Sequence, residues 1–545
     1  MKTTQELIAA SAKYLANTYA RFPIVLVKGQ GVRLWDSDGK EYLDFVGGIA
    51  VDALGHCHPR MVEAIRAQAD SLIHVSNLYH IEPQIRLGKL LCEHSFADRA
   101  FFCNSGAEAN EAAIKLARKW AKDHWSTDRF EIIVMHHSFH GRTLATVTAT
   151  GNEKYWHGFE PLMPGFKHVP YNNLQAVERA IDSHTCAVLA EPVQGEGGVN
   201  VPGDDYLPGL RRLCDQAGIL LILDEVQSGM GRTGKLFAYE HWGVEPDIMT
   251  LAKALAGGIP MGAMLAREAV AASFVPGTHA STFGGTPFVS AVAHAVVSTI
   301  IQEDLPGNAP RVGKYFLDRL AALKEKQRVV TAVRGKGLIL GLEVSVPART
   351  IVAGCMERGL LVLTAGDNVV RFVPPLIVTE ADVDRAVRIL EEAEHLMHLS
   401  GYNGTSLDEI ALRCKMTKSN LIHHFHSKED LGLAVMDFKI DCYKAAFEKT
   451  LSGCSGPERA VAELFGRAAR FQRGNGCRAG CLVGNMALEM SDINERFRER
   501  AGRFFSGWAK ALERQMRGLK ERGCYPPSFD PRAGAEAVLS LYEGS

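Results

Sequence analysis

The chain has 545 residues, is 46% hydrophobic and 23% charged, and carries a net charge of −1. That length is more than one hydrophobic core holds, so two or more domains are expected; by itself the near-zero total charge does not point to a polyelectrolyte partner. No apolar run reaches the roughly 20 residues of a membrane span, and the 12 scattered cysteines contain no C-x-x-C pair, which points to reduced cytoplasmic thiols, no disulfide framework and no metal site.

In chain order, MKTTQELIAASAKYLANTYARF lacks the apolar run of a signal peptide and predicts an amphipathic helix. From about 95 to 300, short apolar runs alternate with helical patterns. RAFFCN, EIIVMHH, CAVLAEP, ILLILDEV and DIMTLAK read as strands, and ANEAAIKLARKWA and YLPGLRRLCDQAG as helices. Continuous apolar strands between helices predict an α/β fold with a mainly parallel sheet covered on both faces. Residues 311–400 read as a smaller α+β unit, with strands in KGLILGLEV and NVVRFVPPL and a helix in EADVDRAVRILEEAEHLM. Beyond about 400 the pattern is nearly all helical, broken at GYNG, LSGCSGPE, RGNG and GCYPP, with no long linker before it.

Sites in open parallel sheets lie beyond the carboxyl ends of the strands. Four such ends carry chemistry here: Asn104-Ser105-Gly106, Glu191, Asp224 and Lys253. Together they suit pyridoxal phosphate, an electron sink that the protein must hold and tune. Lys253 is the amine that would hold the cofactor as a Schiff base and shuttle a proton, since burial lowers a lysine's pKa. Asp224 is the carboxylate that would keep the pyridine nitrogen protonated. Ser105, Gly106 and Ala107 open a strong helix, with Ser105 and Glu108 in an S-x-x-E capping pattern, so their N–H groups favour a phosphate. Phe139, in HSFHGRT, is the candidate for stacking on the ring.

NSGAEANEAAIKLAR, HHSFHGRT, EPVQGEGG, LDEVQSGMGRTG, LAKALAGGIP and STFGGTP resemble the class III aminotransferases, over roughly residues 10–395. Within that family DFVGGIAVDALGHCHP is most similar to the acetylornithine branch, although Asp52 stands where Asn is expected. The resemblance implies the PLP-dependent transferase fold of type I: an N-terminal part of the small domain (1–60), a PLP-binding large domain (61–305) and a C-terminal small domain (306–398). It implies that Lys253 carries the cofactor, Asp224 meets the ring nitrogen, Gln227 approaches the ring hydroxyl, Phe139 stacks, and Ser105, Gly106 and Ala107 bind the phosphate. Thr282 would reach the phosphate of a neighbouring subunit, making a homodimer with shared sites. Arg142 and Arg371 match the family's carboxylate-binding arginines, Ser281 is placed with the substrate, and Glu196 matches a glutamate that masks Arg371 until 2-oxoglutarate arrives. The implied amino donor is N2-acetyl-L-ornithine, with succinylornithine, ornithine and 4-aminobutyrate left open, because a small acyl or methylene change alters binding by only about 1–3 kcal/mol.

SLDEIALRCKMTKSNLIHHFHSKEDL has helix-turn-helix spacing, with Ser406 and Glu409 as a second capping pattern. It resembles the TetR family of repressors, and GCLVGNMALEMSD, in the helical tail, is similar to that family's ligand-binding domain. The resemblance implies a helix-turn-helix at 389–435 and a shortened helical-bundle domain at 436–545. Thr417, Lys418, Ser419, Asn420, His423, His424 and Lys428 would face DNA. Ile422 departs from the family's tyrosine, no basic arm precedes the first helix, and ADVDRAVRILEEA must serve as the end of one domain and the start of the other. Two readings follow: an enzyme carrying a helical appendage, or a transcriptional regulator with an aminotransferase-like sensor. Retention of both Lys253 and Arg142 favours the enzyme.

Overall fold

The computed structural model describes residues 3–125, 128–327, 329–345, 347–395, isolated helical positions between 433 and 490, and 494–544. The chain divides into two units: Met1–Glu343 with Gly359–Val387, and Val344–Arg358 with Arg388–Ser545.

In the first unit, β1 (Leu26–Gln30), β2 (Arg33–Asp36) and β3 (Glu41–Asp44) form an antiparallel meander that β13 (Leu360–Leu361) extends in parallel. The large sheet has seven strands: β4 (Arg99–Cys103), β5 (Glu131–Met135), β6 (Phe166–Val169), β7 (Thr185–Ala190), β8 (Leu220–Asp224), β9 (Ile248–Leu251) and β10 (Gly262–Ala266). Their order is β4-β10-β9-β8-β7-β5-β6, with β10 antiparallel to both neighbours and every other pairing parallel. A third sheet is built from β11 (Val330–Lys336), β12 (Ile339–Val344), β14 (Leu363–Thr364) and β15 (Val369–Phe372), in the order β11-β12-β15-β14.

Every residue of β7, β8, β9 and β10 is buried. Strands covered on both faces need no polar alternation, which is why they read as unbroken apolar runs. The helix Gly106–His124 packs Ala113, Ile114, Ala117 and Ala121 into the core with Ile132, Leu189 and Ile222 of the sheet. Its run of alanines lets helix and sheet approach closely. The N-terminal helix covers only Thr4–Tyr14, where Thr3 and Glu6 complete a capping box, and it does not continue through the predicted segment to Phe22.

In the second unit, Asn494 caps the 27-residue helix Glu495–Glu521 by accepting from the N–H groups of Arg496 and Phe497. The helix buries Phe497, Ala501, Phe504, Trp508, Leu512, Met516 and Leu519 along one face, the three-or-four spacing of an amphipathic stripe. That face shares a core with Leu433, Met436, Val483, Met486 and Ala535, the last from the helix Pro531–Gly544. Arg500 Nε grips both oxygens of Asp437 at 2.8 and 2.9 Å. Among the described residues, no single helix is long and apolar enough to cross a membrane.

Candidate active site

The parallel strands deliver their carboxyl ends to one edge of the large sheet, and the chemistry-bearing residues follow them there. Asp224 closes β8 and is 3% exposed. Its Oδ2 accepts from Asn110 Nδ2 at 2.8 Å and lies 2.8 Å from His140 Nδ1, while its Oδ1 accepts the Val226 N–H at 3.0 Å. Asn110 is fixed in turn by Thr250, whose hydroxyl donates to Asn110 Oδ1 at 2.8 Å. A buried carboxylate is costly unless it is hydrogen-bonded, and this one is held from a helix, a loop and its own strand end.

Lys253 follows β9 and begins the turn Lys253–Ala256. Its φ of 47° lies in the left-handed region, a conformation that costs a non-glycine residue about 1–3 kcal/mol and persists only where the surroundings impose it. Its amine has no hydrogen-bond partner among the described residues. Burial lowers its pKa below the ordinary lysine value, and Arg371 acts in the same direction; Glu196, Asp224 and Glu191 partly oppose the shift. The amine therefore lies within electrostatic reach of Asp224 and of the Arg371–Glu196 pair.

Arg371, on β15, is 1% exposed. It meets Glu196 twice, at 2.6 Å through Nη1 and 3.2 Å through Nη2, and donates a third bond to Gln227 Oε1 at 2.9 Å. Gln227 Nε2 returns a bond to Glu196 at 3.3 Å. Burial alone would raise Glu196, but the charges of Arg371 and Lys253 with the hydrogen bonds of Arg371 and Gln227 hold it below the usual glutamate range.

Glu191 closes the β7 edge. One oxygen accepts the Phe139 N–H at 2.9 Å and the other the Gly195 N–H at 3.3 Å. Burial pushes its pKa up to about 7, against the charge of His140 and with that of Asp224. Phe139 is half-buried and meets Tyr155 edge-on at 5.9 Å. The exposed Arg142 guanidinium lies over the Tyr155 ring at 4.0 Å and the Phe139 ring at 5.7 Å.

Ser105 caps the helix Gly106–His124, accepting from the Glu108 N–H at 3.2 Å. Only half of the predicted capping box forms: the Glu108 carboxylate reaches the Asn104 N–H at 2.7 Å and the Ser105 hydroxyl at 3.3 Å instead of the Ser105 N–H. The first N–H groups of a helix have no partner within it, so those of Gly106 and Ala107 remain free of intrahelical bonds. A Cβ at Gly106 would stand 2.9 Å from Val226 Cγ1, so this terminus is seated against the residue two beyond Asp224. Ser281 lies beside it, with its Oγ 3.4 Å from Asn104 Nδ2, and its carbonyl accepts from Asn77 Nδ2 at 3.1 Å. Thr282 is exposed.

The structure thus gathers Lys253, Asp224, Gln227, Glu196 and Arg371, seats Ser105, Gly106 and Ala107 against Val226, and sets Phe139 beside Glu191. Asn110, His140 and Thr250, which fix Asp224, were not singled out in the sequence; Asn110 lies 114 positions away from its partner. Thr417, Lys418, Ser419, Asn420, His423, His424 and Lys428 lie outside the described residues. Asp44, Asp52 and His56 cluster within 4.8 Å of one another, and His56 Nε2 lies at hydrogen-bond distance, 2.6 Å, from Asp44 Oδ2.

The profile of the aminotransferase class-III family matches residues 14–393. That of bacterial regulatory proteins, tetR family, matches 389–435, and that of the tetracyclin repressor-like C-terminal domain matches 457–545. An acetylornithine aminotransferase of Caldanaerobacter subterraneus subsp. tengcongensis is 53% identical over 387 residues, covering 71% of this chain and 98% of the relative. Among solved structures, the ornithine aminotransferase of Toxoplasma gondii is 36% identical with a TM-score of 0.70, covering 72% of this chain and 95% of that one. The acetylornithine aminotransferase of Elizabethkingia anophelis is 34% identical with a TM-score of 0.66, covering 73% and 100%.

Proposed function

Since the chain belongs to the class III aminotransferases, we propose that it converts N2-acetyl-L-ornithine and 2-oxoglutarate to N-acetyl-L-glutamate 5-semialdehyde and L-glutamate. The chain is a PLP-dependent aminotransferase with small-molecule substrates. The residues present fit pyridoxal phosphate: a half-buried amine without a hydrogen-bond partner among the described residues, a buried carboxylate on a fixed scaffold, and a helix terminus with unspent N–H groups. When bound, the cofactor supplies an electron sink at the substrate carbon that loses its proton.

In this reading Lys253 holds the cofactor and moves the proton at that carbon, since its depressed pKa keeps a share of the amine neutral and able to accept. Asp224 holds a proton at the ring nitrogen, and Asn110 and His140 keep its carboxylate from turning away. Ser105, Gly106 and Ala107 take the phosphate, Phe139 covers one ring face, and Gln227 meets the ring hydroxyl while bridging Arg371 and Glu196. The observation that carries the two-substrate reading is the doubly bonded Arg371–Glu196 pair within electrostatic reach of Lys253. Masked, Arg371 leaves room for a donor whose reacting end carries no carboxylate; unmasked, it binds one carboxylate of 2-oxoglutarate. Arg142 and Ser281 serve the other end of the substrate.

A turnover panel tests the donor. N2-Acetyl-L-ornithine should give the highest kcat/KM with 2-oxoglutarate; a higher value for succinylornithine, ornithine or 4-aminobutyrate would replace it. Lys253→Ala should abolish the visible absorbance of the loaded protein as well as turnover.

We also propose a homodimer. Thr282 sits beside exposed Phe283, and His74 meets the Phe283 ring at 5.5 Å. Exposed Leu72, Ile73, Leu78 and Tyr79 share that segment. Such a patch marks an association surface, and Thr282 would then serve the phosphate site of a second copy. Light scattering should give twice the chain mass; a monomer would remove this reading. The match to the tetR family supports a second activity, DNA binding through Thr417, Lys418, Ser419, Asn420, His423, His424 and Lys428. Binding should weaken with salt and on Lys418→Ala; an unchanged affinity would discard it.

A further inference from the structure

Segment 47–52 is strained and yet placed beside the candidate site. Gly47, Gly48, Ile49 and Ala50 have φ of 52°, 62°, 65° and 62°. Such a conformation is uncommon for Ala and an outlier for β-branched Ile. The segment packs against the Lys253–Ala256 turn, and Asp52 Oδ1 lies 3.4 Å from the position of a Cβ on Gly258. Something must hold this backbone in place, and the side chains at its two ends supply it.

At the start, Asp44 Oδ1 accepts the N–H groups of Val46 and Gly47, both at 2.9 Å. Its Oδ2 lies 2.6 Å from His56 Nε2. At the finish, Asp52 Oδ2 lies 3.8 Å from His56 Nδ1 and over Gly48, 2.8 Å from where a Cβ would stand. One imidazole therefore faces a carboxylate at each end of the segment. His56 is itself anchored through paired backbone bonds with Gly31. Gly29 packs on its side chain, where an added Cβ would stand 2.7 Å from the His56 Cβ, and Asp44 and Asp52 are the charged groups that act on the imidazole.

A neutral imidazole has one N–H and can serve one carboxylate; only the imidazolium also carries the charge that pairs with Asp52 across 3.8 Å, beyond hydrogen-bond distance. With Nε2–H committed to Asp44, loss of the second proton turns a lone pair toward Asp52. We propose that Asp52 and His56 are positioning residues: an imidazolium shared by Asp44 and Asp52 latches segment 47–52 against the Lys253–Ala256 turn, and its deprotonation releases the Asp52 end. This rests on Lys253 being the reactive amine.

Burial alone would lower the His56 pKa, but the hydrogen bond and charge of Asp44, with the charge of Asp52, hold it above the ordinary histidine value. Burial raises Asp52, against His56 and with Asp44. For a histidine raised on folding, the stabilisation is complete below the unfolded pKa and is lost as pH rises through the folded one. The latch is therefore closed in mild acid and opens on the alkaline side.

The test uses the cofactor-loaded full chain. Imidazole NMR, with His56→Gln to assign the resonance, should place the His56 midpoint above 6.5, the ordinary value. Amide exchange in 46–52, corrected for its intrinsic pH dependence, should speed up roughly 10-fold as pH passes that midpoint, the factor for about one pKa unit of coupling. In Asp52→Asn the midpoint should fall and the pH dependence of exchange should disappear, while visible absorbance persists. Equal corrected exchange on both sides of the midpoint, or an Asp52→Asn titration that matches the parent, would overturn the latch. Should Asp52→Asn fail to fold, the parent's exchange profile decides alone. A colourless loaded protein would instead sink the Lys253 reading.

Discussion

At the Asp224 end of the site every partner comes from rigid structure. Asn110 sits inside a 19-residue helix, Thr250 on β9, and His140 in a loop whose own N–H donates to Thr150 Oγ1. At the Arg371 end the arginine and Gln227 are buried, but Glu196 stands in a loop with its side chain 26% exposed. In the proposed reading the first end keeps one state and the second exchanges two. A transaminase needs that division, since one cofactor stays through both half-reactions while two different acids take turns.

Three substitutions break or sharpen the contrast. The largest effect is expected for Asp224→Asn, which sets an amide NH2 among donors and removes the charge at the ring nitrogen. kcat should fall roughly 10³-fold for both half-reactions alike, the scale of losing one preorganised electrostatic contact, and stopped-flow half-reactions check it. Arg371→Ala should act on one substrate. The kcat/KM for 2-oxoglutarate should drop roughly 10²-fold, within the range for removing one partner of a buried charge pair, while the amino-donor half-reaction changes far less; equal losses in both would show that the two ends are not separate. Glu196→Gln should be smallest, roughly tenfold or less, and should appear as stronger inhibition of the donor half-reaction by dicarboxylates that now find Arg371 unmasked.

The pH dependence of that mask has a defined sign. Glu196 is depressed on folding, so its pairing is present above the ordinary carboxylate range and is lost as pH falls through the lowered value. Discrimination between donor and acceptor should stay flat from about pH 6 to 8, and a steep change across that interval would contradict the pairing.

Much of this was legible because chemistry and burial left marks along the chain. β7, β8 and β9 are buried throughout, so their apolar runs were plain, and Asp224 and Lys253 stood where those runs end. β6 was not seen: FKHV is a short edge strand with only Val169 buried. β10, GAMLA, is fully buried but lacks the β-branched residues that mark strands. Asn110 and His140 carry no local signal, since an asparagine inside a helix shows its purpose only when a strand end more than 100 positions away is brought to it. The strain at 47–50 was equally hidden; Asp52 stood out in its motif, but its relation to His56 depends on the backbone turning left-handed four times in succession.

Gln227 has a consequence for how the arginine changes hands. Its Oε1 holds Arg371 at 2.9 Å while its Nε2 holds Glu196. In the proposed exchange, when the glutamate leaves, the guanidinium would keep a neutral escort and stay aimed, so the incoming acid would meet a cation already oriented in its berth. Gly195 has no room for a methyl group against that amide, and enlarging it would therefore disturb the handover without touching either charge.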